Sequence, residues 1–359
     1  MKKIGIITLY ADYNYGNRLQ NYAVQKIFSK KGYNVDTIIN IERVHFRILR
    51  LLYKYATAIT GNKESKRNIG MMQFNRKRIN RVNVLGKRVP EKLNNRYDYF
   101  VVGSDQVWNP KLKEFDYHRF FLRFCDKEKR ICLSPSIGMN SIPSEFSEMF
   151  KEGLSGFKYL SCREESGANA IESVCGQRCE TLIDPTLALE ANEWRKIEET
   201  VNGTDKYILL FLLGEKSNVV KEILSKLDSN YKIIDMGDNL SSYYAAKPEQ
   251  LLFLIDNAML VITDSFHITA FSINFNVPFY VVNRYDSKDD TNNKMNSRIV
   301  TLTNLLGLSE RYITQEVNTI DFNCDFSYAN KVLPELRKKV DEYIEECTGE
   351  CRKEGAETY

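Results

Sequence analysis

KIGIITLYADYNYGNRLQNYAVQKIFSKKGYNVDTII, residues 3–39, holds the smallest unit that fixes the architecture. KIGIITLY is a strand-length apolar run, and after a short polar loop Leu19, Tyr22, Ala23 and Ile27 recur at helical spacing. Gly32 stops that helix, and YNVDTII returns as a second strand. A strand, a covering helix and a second strand in that order predict a parallel pair inside an α/β layer.

The same alternation runs outward along the chain. YFVVG (99–103), RICLS (130–134), KYLSC (158–162) and ETLID (180–184) are strand-like, each followed by a loop or helix, and the series closes near Asp184-Pro185-Thr186. After a connector containing Trp194, a second series begins with KYILLFLLG (206–214) and continues through YKIIDM (231–236), MLVIT (259–263) and PFYVV (278–282). Residues 331–347 read as a closing amphipathic helix with Pro334 in its first turn, where a proline is tolerated. The expected layout is α/β: a Rossmann-like domain over 1–188, a second over 189–325, and a closing helix and tail over 326–359 that is frayed after Cys351.

Composition narrows the class. The 359 residues are 43% apolar and 27% charged, enough to bury cores of ordinary size. The longest purely apolar run, YILLFLL (207–213), is strand-sized, and no signal peptide or bilayer span is expected. Eight scattered cysteines, with two C-x3-C pairs lacking a supporting histidine, favour reduced thiols in a cytoplasmic protein over a zinc site. The net charge of +4 conceals an asymmetry: residues 43–92 carry fourteen Lys/Arg against two acids. The first part, RVHFRILRLLYKYATAIT (43–60), is basic and amphipathic. It is suited either to an anionic membrane face or to service as a solvated covering helix. No nucleic-acid motif accompanies the charge, so nucleic acid is not expected as a partner.

Two doubly wound domains place the carboxyl ends of their sheets opposite each other, and ligands bind just outside those ends. Polar residues directly after an apolar strand are therefore site candidates, and four places qualify. In Gly16-Asn17-Arg18 the glycine lets backbone approach a ligand, and the helix start offers N–H groups to an anion. In GSDQVWNP (103–110), Ser104 and Asp105 follow a strand; Asp105 accepts a proton or orients a hydroxyl, and Trp108 stacks on a sugar ring. The alternative there is a capping aspartate and a core tryptophan. Arg163, after KYLSC, forks onto a carboxylate or phosphate, or pairs locally with Glu164 or Glu165. In LVITDSFHIT (260–269), Asp264 or Ser265 caps the next helix, while His267 on its first turn is placed for proton transfer near neutral pH. Walker, G-x-G-x-x-G, H-E-x-x-H and G-x-S-x-G patterns are absent, which disfavours nucleotide hydrolysis, dinucleotide chemistry, zinc proteolysis and α/β-hydrolase chemistry.

GSDQVWNP (103–110) and ITDSFHITAFSINFNVPF (262–279) resemble the two signature stretches of the polysaccharide pyruvyl transferase family. NYGNRLQNYAVQ (14–25), SCREESG (161–167), DPTLAL (184–189) and NSRIVTLTNLLGL (296–308) fall in that family's order and spacing, so the resemblance spans roughly residues 4–311. It departs at His267-Ile268, where the family usually has His-Gly, and at Ser265, where some branches carry arginine. The resemblance implies a GT-B-like pair of Rossmann-like domains with the site in the cleft between them. It also implies transfer of pyruvate from phosphoenolpyruvate onto two sugar hydroxyls, forming a cyclic ketal on a cell-surface glycan or its lipid-linked precursor. On that reading His267 is the general acid or base and Asp105 activates or orients a hydroxyl. Arg163, Arg298 and the 16–18 helix start hold the dianion, and neither metal nor resident cofactor is required. Residues 43–92 would suit a lipid-diphosphate acceptor at the inner membrane face. The rivals are a GT-B glycosyltransferase using a nucleotide sugar and a glycan-binding or assembly protein without catalysis.

Overall fold

The computed structural model describes residues 1–10, 14–41, 44–286, 297–315 and 317–349, without the side chains of 44, 46, 47 and 297. Residues 11–13 of the opening stretch, Arg43 and the tail after Cys351 lie outside the described residues.

The first domain runs β1 (Lys3–Ile7), α1 (Tyr15–Lys30), β2 (Asn34–Ile41), α2 (Val44–Ile59), α3 (Lys63–Arg78), β3 (Arg81–Leu85), β4 (Tyr99–Gly103), α4 (Tyr117–Phe120), β5 (Arg130–Leu133), α5 (Ser144–Leu154), β6 (Leu160–Cys162), α6 (Glu165–Cys175) and β7 (Cys179–Thr181). Two short helices, α7 (Pro185–Ala188) and α8 (Ala191–Arg195), lead out of it. The second domain runs β8 (Tyr207–Phe211), α9 (Asn218–Ser225), β9 (Lys232–Asp235), α10 (Pro248–Asp256), β10 (Leu260–Thr263), α11 (Phe266–Phe275), β11 (Phe279–Val282), α12 (Ser297–Leu305) and β12 (Tyr312–Ile313). A long helix, α13 (Ser327–Thr348), follows.

Both main sheets are parallel and five-stranded, ordered β3-β2-β1-β4-β5 and β12-β11-β10-β8-β9. The strand order reverses between β1 and β4 in one and between β8 and β10 in the other. Those reversal points open crevices at the strand ends, and the two crevices face each other, as in the GT-B fold. The strands are near-continuous apolar runs because both faces are covered: Ile208, Leu209 and Leu210 of β8 are each fully buried.

Three features differ from expectation. RVNVL (81–85) is an edge strand that sequence reading leaves unassigned. The strands from KYLSC and ETLID form a separate parallel pair, β6-β7, instead of extending the first sheet. Ser161 explains the break: its hydroxyl donates to the Cys132 carbonyl at 2.7 Å and accepts from the Ser134 N–H at 3.1 Å, where a ladder would need backbone groups. The closing helix starts at Ser327, so Pro334 lies inside it and not in its first turn. Burial of Ala329 and Leu333 draws the chain into helix upstream of the proline.

The domains share one core. Trp194, fully buried, packs against Tyr22 of α1 at 5.4 Å and Phe271 of α11 at 4.9 Å between ring centroids. α3 adds a second bridge, with Arg78 3.3 Å from Glu249 and the Lys63 ammonium donating to the Ser241 carbonyl at 3.1 Å. α13 returns to the first domain, where Lys31 pairs with Asp341 at 2.9 Å and the Tyr99 hydroxyl donates to the Thr348 carbonyl at 2.8 Å.

Candidate active site

The facing crevices form a cavity of about 260 Å³, room for a small molecule. One wall comes from the first domain. Asn14 caps α1 by accepting from the Asn17 N–H at 3.1 Å, which sets Gly16 in the first turn at the cavity edge. Directly after β4, Asp105 adopts a left-handed backbone (φ +66°), a conformation aspartate tolerates better than most side chains. Its carboxylate accepts from Asn17 Nδ2 at 3.1 Å and from the Gln106 N–H at 2.8 Å.

The opposite wall comes from the second domain. Asp264 accepts from the N–H groups of Leu213 and Gly214 at 2.7 and 2.8 Å, tying the end of β10 to that of β8, with Arg284 Nε 3.6 Å away. Ser265 holds the N-cap position of α11, but its side chain makes no capping bond. The expected cap is therefore not made by either residue: Asp264 is committed to β8, and the start of α11 opens onto the cavity. A helix start lacking a side-chain cap favours an anion there.

His267 sits where the walls meet. Its ring lies so close over Gly16 that a Cβ added to the glycine would stand 2.1 Å from Nδ1. Nε2 is buried without a hydrogen-bond partner, 3.9 Å from Asp184 Oδ2. Burial lowers the imidazole pKa from its ordinary 6.5; Asp184 and Asp105 pull it up, while Arg163 and Arg298 push it down. The ring is thus neutral at neutral pH, with a nitrogen available to take a proton.

Asp184 is the anchor behind it. Fully buried, it accepts from Arg163 Nη1 at 2.9 Å, Ser104 Oγ at 2.9 Å, and the N–H and hydroxyl of Thr186 at 2.9 and 2.7 Å. Burial alone would raise its pKa, but His267, Arg163 and the Thr186 bonds bring it down to about 2. Burial likewise opposes ionisation of Asp105, yet His267, Arg163 and Asn17 leave its pKa below the usual carboxylate value. Two ionised carboxylates therefore flank a neutral histidine. Arg298, across the cavity, has its pKa pushed down to about 10 by burial and by Arg163. With its amide oxygen turned toward that guanidinium, Gln106 accepts at 3.1 and 3.0 Å. An arginine partly stripped of water beside another cation gains most when an anion arrives.

Of the residues expected from sequence, Gly16, Asp105, Asp264, Ser265, His267 and Arg298 line this cavity. Asn17 stands behind Asp105, and Ser104 behind Asp184. Three expectations need correction. Trp108 is fully buried, donates its indole N–H to the Phe120 carbonyl at 2.9 Å and stacks on Phe121, so no sugar reaches it. Arg163 is 1% exposed and committed to Asp184 and Glu164 behind the Phe266 ring; it shapes the field without gripping a ligand. Arg18 is buried with its guanidinium 3.6 Å from the Tyr10 ring centroid and donating to the Leu9 carbonyl, away from the cavity.

Four residues were not anticipated. Arg67 and Arg284 line the cavity beside Arg298, Gln106 contacts it, and Asp184 anchors the histidine. Asp184, Gln106 and Arg284 all follow strands, so the strand-end criterion could have found them. Arg67 lies within α3 and carries no such mark.

No curated protein sequence matches the chain. Among solved structures, UDP-GlcNAc 2-epimerase from Methanocaldococcus jannaschii is 15% identical with a TM-score of 0.45, the match covering 96% of this chain and 92% of that one. MurG from Acinetobacter baumannii is 10% identical with a TM-score of 0.43, over 99% and 96% of the two chains. A family model described as polysaccharide pyruvyl transferase matches residues 14–287.

Proposed function

This chain belongs to the polysaccharide pyruvyl transferase family, and we propose that it moves pyruvate from phosphoenolpyruvate onto two hydroxyls of one sugar, closing a cyclic ketal. The acceptor is a cell-surface polysaccharide or its lipid-linked precursor, met at the cytoplasmic face of the membrane. The observation that carries this reading is His267 at the meeting of the two walls, with Asp184 behind it and Asp105 on the facing wall, in a cavity also lined by Arg67, Arg284 and Arg298. Phosphoenolpyruvate is small and carries both a carboxylate and a phosphate, which suits three arginines and an uncapped helix start.

The roles follow from protonation. His267 takes the proton of the attacking sugar hydroxyl, and Asp184 and Asp105 stabilise the imidazolium that forms. The imidazolium gives that proton to the methylene carbon of phosphoenolpyruvate, which becomes the ketal methyl as the hydroxyl oxygen bonds to C2. Phosphate departs from C2 with its electron pair, steadied by the arginines. The second hydroxyl then closes the ring, and its proton leaves with phosphate. The sequence needs no metal and no resident cofactor, because phosphoenolpyruvate already holds the activated carbon.

The test is incubation with phosphoenolpyruvate and a panel of aryl and lipid-linked sugars, following phosphate release and a new ketal methyl signal by NMR. Turnover with His267→Ala abolishing it, while the far-UV spectrum stays unchanged, is the expected result. Turnover of a nucleotide sugar instead would make the protein a glycosyltransferase. Silence with both donors would make it a binding or assembly protein.

A further inference from the structure

Helix α2 faces the wrong way for an ordinary covering helix. A surface helix normally buries its apolar stripe and shows water its charges. In α2 the buried positions include Lys54 (7% exposed) and Ala58 (8%), while Ile48, Leu49, Leu52, Tyr53, Tyr55 and Ile59 stand 45–86% exposed. Positions 48, 52, 55 and 59 form a single stripe at helical spacing, flanked by 49 and 53. Among the described residues, six of the fifteen exposed large hydrophobics are on this one helix. Leu85, 71% exposed, ends β3 opposite Ile41, the last residue of β2, the strand that precedes α2 in the chain. A monomer seldom leaves so continuous an apolar surface in water unless something covers it.

The charge around the stripe selects the occupant. Residues 43–92 carry fourteen Lys/Arg against two acids, and Lys66, Arg76, Lys77, Lys87 and Arg88 are exposed. A second copy would bring the same positive charge to the contact and repel it. An anionic bilayer answers both features, because apolar side chains enter the acyl boundary while basic ones meet the headgroups. We propose that the exposed face of α2, with residues 85–88, is a docking surface for an anionic lipid membrane. α3, packed on α2, supplies Arg67 to the cavity wall, so the site lies one helix from the bilayer. The purpose, meeting a lipid-linked acceptor, rests on the pyruvyl transfer reading; the surface itself does not.

The test uses the full chain with sedimented vesicles of phosphatidylcholine alone and of phosphatidylcholine mixed with phosphatidylglycerol. Wild type should bind the mixed vesicles, less as salt rises, and the pure ones weakly. Leu49→Ser with Leu52→Ser should weaken mixed-vesicle binding by roughly tenfold or more, and Lys87→Gln with Arg88→Gln should weaken it at low salt only. Turnover on a soluble aryl acceptor should be unchanged in both variants. No binding to either vesicle, or wild-type binding by Leu49→Ser/Leu52→Ser, would overturn the proposal. So would a wild-type dimer in sedimentation velocity that the serine variant dissociates, because the face would then belong to a second copy. Lost soluble-acceptor turnover in a folded variant would also overturn it, by placing these residues in the site. If pyruvyl transfer itself fails, vesicle binding still stands or falls alone.

Discussion

Gly16→Ala separates the chemistry from the fold with a single methyl group. Gly16 is the second residue of α1 and does not have the positive φ that would require glycine. Alanine is therefore permitted, and helix propensity favours it by up to about 1 kcal/mol. The new Cβ, however, would stand 2.1 Å from His267 Nδ1, 2.5 Å from Cγ and 2.7 Å from Cε1. Non-bonded heavy atoms settle at about 3.5 Å, so the imidazole must retreat by roughly 1.4 Å. A displacement near 1 Å at a reacting group costs about 10²-fold, equivalent to about 2.7 kcal/mol on the barrier. The arginine wall is untouched, so the loss should fall on kcat and leave the KM for phosphoenolpyruvate nearly constant. Phosphate-release kinetics would measure both constants, with thermal unfolding run in parallel and expected to shift little. Turnover within about threefold of wild type, under 1 kcal/mol on the barrier, would refute the placement of His267 at the reacting atoms.

The remaining expectations address the other groups. Because burial holds the His267 pKa below 6.5 and the neutral form is the base, kcat/KM should rise with pH to a plateau, its acid midpoint lying below 6.5; a higher midpoint in a pH–rate profile contradicts the assignment. Arg298→Gln should raise the KM for phosphoenolpyruvate by roughly 30-fold or more, and an unchanged KM would remove Arg298 from the anion site. Asp184→Asn removes the nearer of the two carboxylates paired with buried Arg163, leaving Glu164 alone at 3.4 Å, for about 3 kcal/mol of lost stability at pH 7. The depressed pKa of Asp184 gives stabilisation that is complete above about pH 3.8 and disappears as pH falls through about 2. Denaturant unfolding curves of variant and wild type should therefore converge below pH 4, and parallel curves would count against it. Trp108→Ala should cost about 3–5 kcal/mol in denaturant unfolding without altering the sugar KM of the folded fraction; the reverse pattern would restore Trp108 to the site.

Most strand segments, the crevice at their ends and the places of Asp105, Asp264 and His267 on its wall were legible because strand periodicity and strand-end polarity are local signals. What sequence could not supply is the direction in which a side chain leaves its strand end. Trp108 and Arg163 stand at the correct ends but turn inward, one into a cluster of aromatic rings and the other onto Asp184. Arg18 follows Gly16 by only two positions, yet the helical rotation carries it away from the cavity toward Tyr10. Arg67 escaped notice for the opposite reason. It comes from a helix inserted between β2 and β3, and only the packing of α3 across the second domain delivers it to the site.

The return of α13 to the first domain has a consequence for biosynthesis. As the polypeptide emerges from the ribosome, β1 to β5 are complete long before residues 327–348 exist, so the surface that Tyr343 and Ile344 will cover stays open. The first domain cannot bury Cys132 beneath Tyr343 until the second has been made. A nascent chain stalled between the two would therefore offer chaperones and proteases an apolar flank that the finished molecule hides.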